Sequence, residues 1–168
     1  MNKPITRVTH WHDQFFGLVL YLKSPFLLFV RLYWGWQLAQ SGWGKLHNLD
    51  KVTEFFTSLN MPSPGMMAVF IAWVEFFGGV LFALGVFSRI TSLVLSVNLT
   101  MAYVIADREA LFSIFSDPDK FMAAAPFTFL FASLLVLIFG AGKLSADRAL
   151  GYVLENKVAK QPERSIAV

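Results

Sequence analysis

A chain of 168 residues is long enough for one compact unit and too short for two domains of ordinary size. Its residues are 56% hydrophobic and only 15% charged, with eighteen Phe and five Trp, where an average soluble domain carries about 25% charged residues; a soluble fold of this size would leave much of that apolar surface exposed. There is no Cys, which removes disulfides, thiolate metal sites, cysteine nucleophiles and dithiol relays, and the net charge of +3 gathers in flanking segments, a pattern that bears on membrane topology and not on nucleic acid.

The first 24 residues carry no cleavable signal pattern, so the first span is expected to direct insertion. Trp11, Phe15, Leu18, Val19 and Leu22 share one helical face, with Asp13, Gln14 and Gly17 elsewhere, which predicts a helix lying in the membrane interface. Ser24-Pro25 reads as an N-cap followed by proline at the first helical position, opening a first span from Pro25 to about Trp43. Val52, Phe55, Phe56 and Leu59 form a second amphipathic stripe that Asn60 and Pro62 stop. A second span is predicted from Met66 to Phe87, between Pro64-Gly65 and Ser88-Arg89, and a third, the shortest, from Ile90 to Ala106. The apolar run from Leu111 to Phe115 is too short to cross and is expected to dip toward the interface. A fourth span is predicted from about Met122 to Ala141, with Pro126 in its first turns. The tail after Leu154 is polar and expected to be loose.

Four segments therefore meet or approach the ~20 apolar residues needed to cross ~30 Å of hydrocarbon. The expected fold is all-α, an integral membrane four-helix bundle with short interfacial amphipathic helices. It divides into an N-terminal interfacial segment (1–24), a four-span domain (25–150) and a polar cytoplasmic tail (151–168). Apart from Arg31 inside the first span, nine Lys and Arg flank one side (Lys3, Arg7, Lys23, Arg89, Lys143, Arg148, Lys157, Lys160, Arg164) and four the other (Lys45, Lys51, Arg108, Lys120). Cytoplasmic loops carry the excess, so both termini are expected in the cytoplasm of a bacterium, with the chain multi-pass in its inner (plasma) membrane.

Polar residues inside spans are the informative ones. Arg31 lies about two turns into the first span, Glu75 near the middle of the second, and Asn98 near the middle of the third. A charge at the bilayer centre costs at least ~2.5–3.5 kcal/mol, so each should face the bundle interior and find a partner. Rise per residue brings Arg31 and Glu75 toward each other, and two readings of the pair stand: a structural ion pair, or a polar pocket for a ligand head group or a proton. Lys45 reads as an interfacial lysine or a member of that pocket, and Asn98 as an interhelical hydrogen bond or a further pocket group. Glycines follow the same stripes: Arg31, Gly35, Leu38, Gly42 and Lys45 on the first span, and Glu75, Gly78, Gly79, Phe82 and Gly85 on the second. They predict close helix packing along the charged faces. The three His, at 10, 12 and 47, all lie outside the spans, which argues against a bis-His haem and against an intrinsic metal site.

An ordered set of motifs is similar to one family. An Arg in the first span precedes Gly42-x-Gly44-Lys45-Leu46. A Phe-rich stretch then ends in Leu59-Asn60-Met61-Pro62. Next come Glu75-Phe-Phe-Gly78-Gly79 and Leu84-Gly85-Val86-Phe87-Ser88-Arg89, and the last span closes with Gly140-Ala-Gly142-Lys143-Leu-Ser145-Ala-Asp147. This pattern, over about Phe26 to Leu150, resembles the DoxX family of four-span bacterial membrane proteins; Ala141 stands where the family pattern has Pro. The family's name comes from a small subunit associated with archaeal terminal quinol oxidation and thiosulfate:quinone oxidoreduction. The resemblance implies an accessory subunit of a quinone-linked redox system, at most a subunit of an oxidoreductase. It would carry no cofactor of its own, with a quinone as ligand, a redox subunit as partner, and homo-oligomerisation open. The alternative is a non-enzymatic membrane scaffold or assembly factor in which the Arg31/Glu75 pair only locks the bundle. A small-solute transporter is a weaker third reading, since no inverted repeat is visible.

Overall fold

The computed structural model describes the backbone of residues 3–159, and side chains from 19 to 156 except Leu154. The apolar face assigned to Trp11, Phe15 and Leu18, the side chains of His10 and His12, and the tail beyond 159 lie outside the described part. Among the described residues eight helices follow one another: α1 (Lys3–Leu46), α2 (Leu49–Ser58), α3 (Pro64–Leu84), α4 (Ser88–Ile105), α5 (Arg108–Phe112), α6 (Pro118–Ala123), α7 (Pro126–Phe139) and α8 (Ala146–Ala159). No strand occurs among the described residues.

Long α1 packs against α3, α4 packs against α7, and α3 joins the two pairs through α4; α2 lies on α3. The four longer apolar helices contribute to one core: Val30 and Leu38 from α1, Phe82 from α3, Leu95 and Leu99 from α4, Ala132 and Val136 from α7. Phe82, the bulky member of its glycine stripe, is buried and fills this core rather than walling a cavity.

The surface is inverted relative to a water-soluble protein. Phe29, Trp36, Phe70, Ile90 and Ile138 are all more than half exposed, while Arg31 and Ser92 are 0% exposed and Glu75 5%. Apolar groups outside and ionisable groups inside are what hydrocarbon solvent selects. Among the described residues two helices, α3 and α4, are long and apolar enough to cross a bilayer; α7 is apolar but has only 14 residues.

Three boundaries differ from the sequence expectation. Ser24-Pro25 does not start a helix, because α1 runs unbroken through Pro25. The carbonyl deprived of a donor there belongs to Tyr21, which is 78% exposed and open to water or head groups, so the break that a buried proline forces is avoided. Ser24 instead accepts the Lys143 backbone N–H at 3.3 Å. The fourth apolar segment is split: α6 ends before extended Ala124 (ψ 139°), and Pro126 starts α7 at its first turn, where a missing N–H is harmless. At the C-terminus, α8 runs helically to Ala159, over the first five residues of the tail expected to be loose, whose remainder lies outside the described part.

Candidate functional site

Glycines set the α1–α3 register on which the site depends. A Cβ added at Gly35 would meet Gly79 and Ala83, one at Gly42 would meet the backbone of Ala72 and Phe76, and one at Gly79 would meet Gly35 and Ala39. The two backbones are therefore nearly in contact, as small residues permit in membranes. Gly78 serves the other neighbour, leaving room for Leu95 of α4.

This register separates Arg31 from Glu75. Glu75 forms an ion pair with Lys45 and accepts a hydrogen bond from the Ser41 hydroxyl at 3.0 Å. Arg31 lies 10 residues before Ser41, about 15 Å along the helix, beyond the reach of its side chain. The expected Arg31–Glu75 pair is thus corrected to Lys45–Glu75. Counting depth from Pro25 as a span start misjudged the alignment, because the glycine contacts bring Arg31 level with Gly85 at the end of α3.

Around Glu75 the α2 end of the molecule holds a cavity of about 320 Å³. Its polar groups are Lys45, Lys51, Glu75 and Asn98; α2 roofs it with Val52, Phe55, Phe56 and Leu59, and α4 closes the far side with Met101, Ala102 and Ile105. Three of the four polar residues named from sequence, Lys45, Glu75 and Asn98, therefore line one space, and Arg31 does not. Sequence reasoning did not assign Ser41, Lys51 or the α2 aromatics to this site. Ser41 and Lys45 are four apart and so share a helix face, and the stripe of α2 was visible as an amphipathic helix without any indication of what it covers. Asn98 presents an amide with both donor and acceptor beside an ionised acceptor and an ammonium donor. Such a set fixes the orientation of one polar head while the walls hold an apolar body. Among the described residues no group of three or more His, Asp or Glu is placed to hold a metal ion.

Arg31 anchors the opposite end. Its Nη2 donates to the Leu144 carbonyl, and its guanidinium packs on Gly85, whose φ of 70° and lack of Cβ the contact requires. Asp147 joins this cluster through the backbone: its N–H donates to Gly85 O at 3.0 Å, and its carboxylate accepts from Phe87 N at 2.7 Å, Ser88 N at 2.8 Å and Ser88 Oγ at 2.6 Å. This caps the first N–H groups of α4. Burial pushes the Asp147 carboxyl up, but the Ser88 hydroxyl, the two backbone donors and the Arg31 charge outweigh it and hold it below the usual carboxylate range. Gly85 is therefore a helix-end residue fitted to Arg31 and not a member of the helix–helix stripe. The Nε and Nη1 atoms of Arg31 and the hydroxyls of Ser92 and Ser96 find no partner among the protein's own described groups.

No curated protein and no solved structure matches the chain. Residues 26–108 match the family model described as DoxX, a stretch that holds Arg31 and all the cavity residues from Lys45 to Ala106 but ends before Asp147. Through that matched stretch, the chain belongs to the DoxX family of membrane proteins.

Proposed function

We propose that the protein is a membrane-embedded accessory subunit of a quinone-linked redox system, and that the cavity under α2 takes a quinone head group. The carrying observation is the Lys45–Glu75 ion pair set with Asn98 and Lys51 in a cavity whose other lining residues are apolar. Lys45 and Asn98 donate to a ring oxygen of the ligand, and Glu75 takes or returns its proton; the α2 aromatics pack on the ring. Buried ionisable groups in membranes mark functional sites by default. In this reading α1, α3, α4 and α7 cross the inner membrane as a four-helix bundle with both termini cytoplasmic, the chain carries no cofactor of its own, and electrons pass through a partner subunit. The purified protein is then colourless; a stoichiometric haem absorption band would refute that part.

The test is thermal stability of the purified protein with ubiquinone or menaquinone analogues. At about 100 times its dissociation constant a ligand adds about 2.7 kcal/mol of stability. Glu75→Gln and Asn98→Leu should abolish the response and Arg31→Lys should retain it. A second reading is a scaffold in which the ion pair only locks α1 to α3. It is favoured by Glu75 already having two protein partners, Lys45 and Ser41, and it is the outcome if neither analogue shifts stability.

A further inference from the structure

Between the N-terminal part of α1 and the last turns of α7 lies an open groove of about 570 Å³. Val19, Leu22 and Phe26 from α1 and Leu135 and Phe139 from α7 form its apolar floor. Lys23 lies midway along the α1 wall, its ammonium 5.4 Å from the centre of the Phe139 ring. The backbone of a second, exposed lysine is held next to it. The Lys143 backbone N–H donates to the Ser24 hydroxyl, and a Cβ on neighbouring Gly142 would be in ordinary contact with Ser24 and Leu27. Neither lysine forms an ion pair with an acidic residue among the described residues.

We propose that this groove holds one anionic phospholipid, with an acyl chain along the apolar floor and its phosphodiester at Lys23 and Lys143. An apolar floor alone selects nothing in a bilayer, since lipid chains are as apolar as leucine. The charged rim supplies the selection, and basic pockets between helices at the membrane surface take anionic head groups. The aromatic contact orients Lys23 without neutralising it. Depth agrees: Lys143 follows the end of apolar α7 and is tied to Ser24, next to Lys23, which puts both lysines at the end of the bundle, where head groups meet the hydrocarbon. A second copy is a poorer occupant, because a two-fold contact on this face would bring four lysines together.

Purified protein in detergent is titrated with phosphatidylglycerol, with phosphatidylcholine of the same chains, and with inorganic phosphate, and bound lipid is counted by native mass spectrometry. Phosphatidylglycerol should bind at least about tenfold more tightly than phosphatidylcholine, and phosphate alone should not bind. Removing both charges in K23Q/K143Q should weaken phosphatidylglycerol about thirtyfold, roughly fivefold per lysine, and leave phosphatidylcholine unchanged. L135W, which fills the groove, should weaken both lipids, while R89Q, which removes a charge outside it, should change neither. Equal affinity for the two lipids, an unchanged preference in K23Q/K143Q, an equal loss in R89Q, binding of phosphate alone, or a dimer that buries the groove would each overturn the proposal.

Discussion

About 15 Å of helix separates Arg31 from Ser41, and that distance decides which polar groups in this protein touch. Lys45 and Glu75 are in contact, so a double-mutant cycle between them should give a coupling of about 0.5–3 kcal/mol. Arg31 and Glu75 share no partner, and their cycle should give less than about 0.5 kcal/mol; a larger value would restore the pairing that the α1–α3 register excludes. Gly85→Ala places a Cβ at φ 70° against the Arg31 guanidinium. It should cost about 2 kcal/mol or more of stability, and the cost should fall in an Arg31→Ala background. Asp147 gives a pH prediction. Its folded carboxyl binds a proton more weakly than the unfolded one, so the stability it contributes is complete above the unfolded value near pH 3.9 and is lost as pH falls through the lower folded value. Acid unfolding curves of Asp147→Asn should lack this limb, and identical curves for the two proteins would show that the carboxylate does not carry the α4 cap.

At the scale of the elements, the long apolar runs that became α3 and α4 were legible within a few residues, because hydrocarbon thickness fixes their length and Pro64-Gly65 and Ser88-Arg89 punctuate them. The amphipathic stripe of α2 was equally legible. The polar residues Lys45, Glu75 and Asn98 could be picked out by the cost of burying them, but their grouping could not. It depends on the offset between α1 and α3, which glycine contacts set through space and no local pattern records. Pro25 misled for a related reason: a proline signals a helix start only where the orphaned carbonyl has no solvent, and Tyr21 lies at the surface. Pro25→Ala should then keep the helix continuous and raise stability by up to about 3 kcal/mol; a fall in stability would mean that the proline shapes a bend the fold uses. Gly42→Leu drives a side chain into the backbone of Phe76 and should separate α1 from α3 at the cavity, abolishing any ligand response together with the Lys45–Glu75 contact. The pair Glu109 and Lys120, 3.0 Å apart, links α5 to α6. The Lys120 hydrogen bond and then its charge hold the Glu109 carboxyl below its usual range, but the pair is exposed and little stability is expected from it.

For the whole molecule, polar interior and apolar exterior define two ends with different work. One end is stapled by Arg31, Gly85, Ser88 and Asp147, residues from three separate parts of the chain that the family-like motifs already contain. The other end holds the cavity beneath α2. Reporter fusions at Lys3 and Lys160 should both read cytoplasmic, which puts the Arg31 staple and the phospholipid groove on the inner side and the cavity toward the outer leaflet; reporters on opposite sides would require an odd number of crossings. The most direct test of the cavity is a photoactivatable quinone analogue with peptide mapping of the label. The account predicts labelling confined to residues 52–61 and 98–106, competed by unlabelled quinone and lost in Glu75→Leu. Label spread along the lipid-facing surfaces of α3 and α4, or concentrated around Arg31 and Gly85, would contradict it.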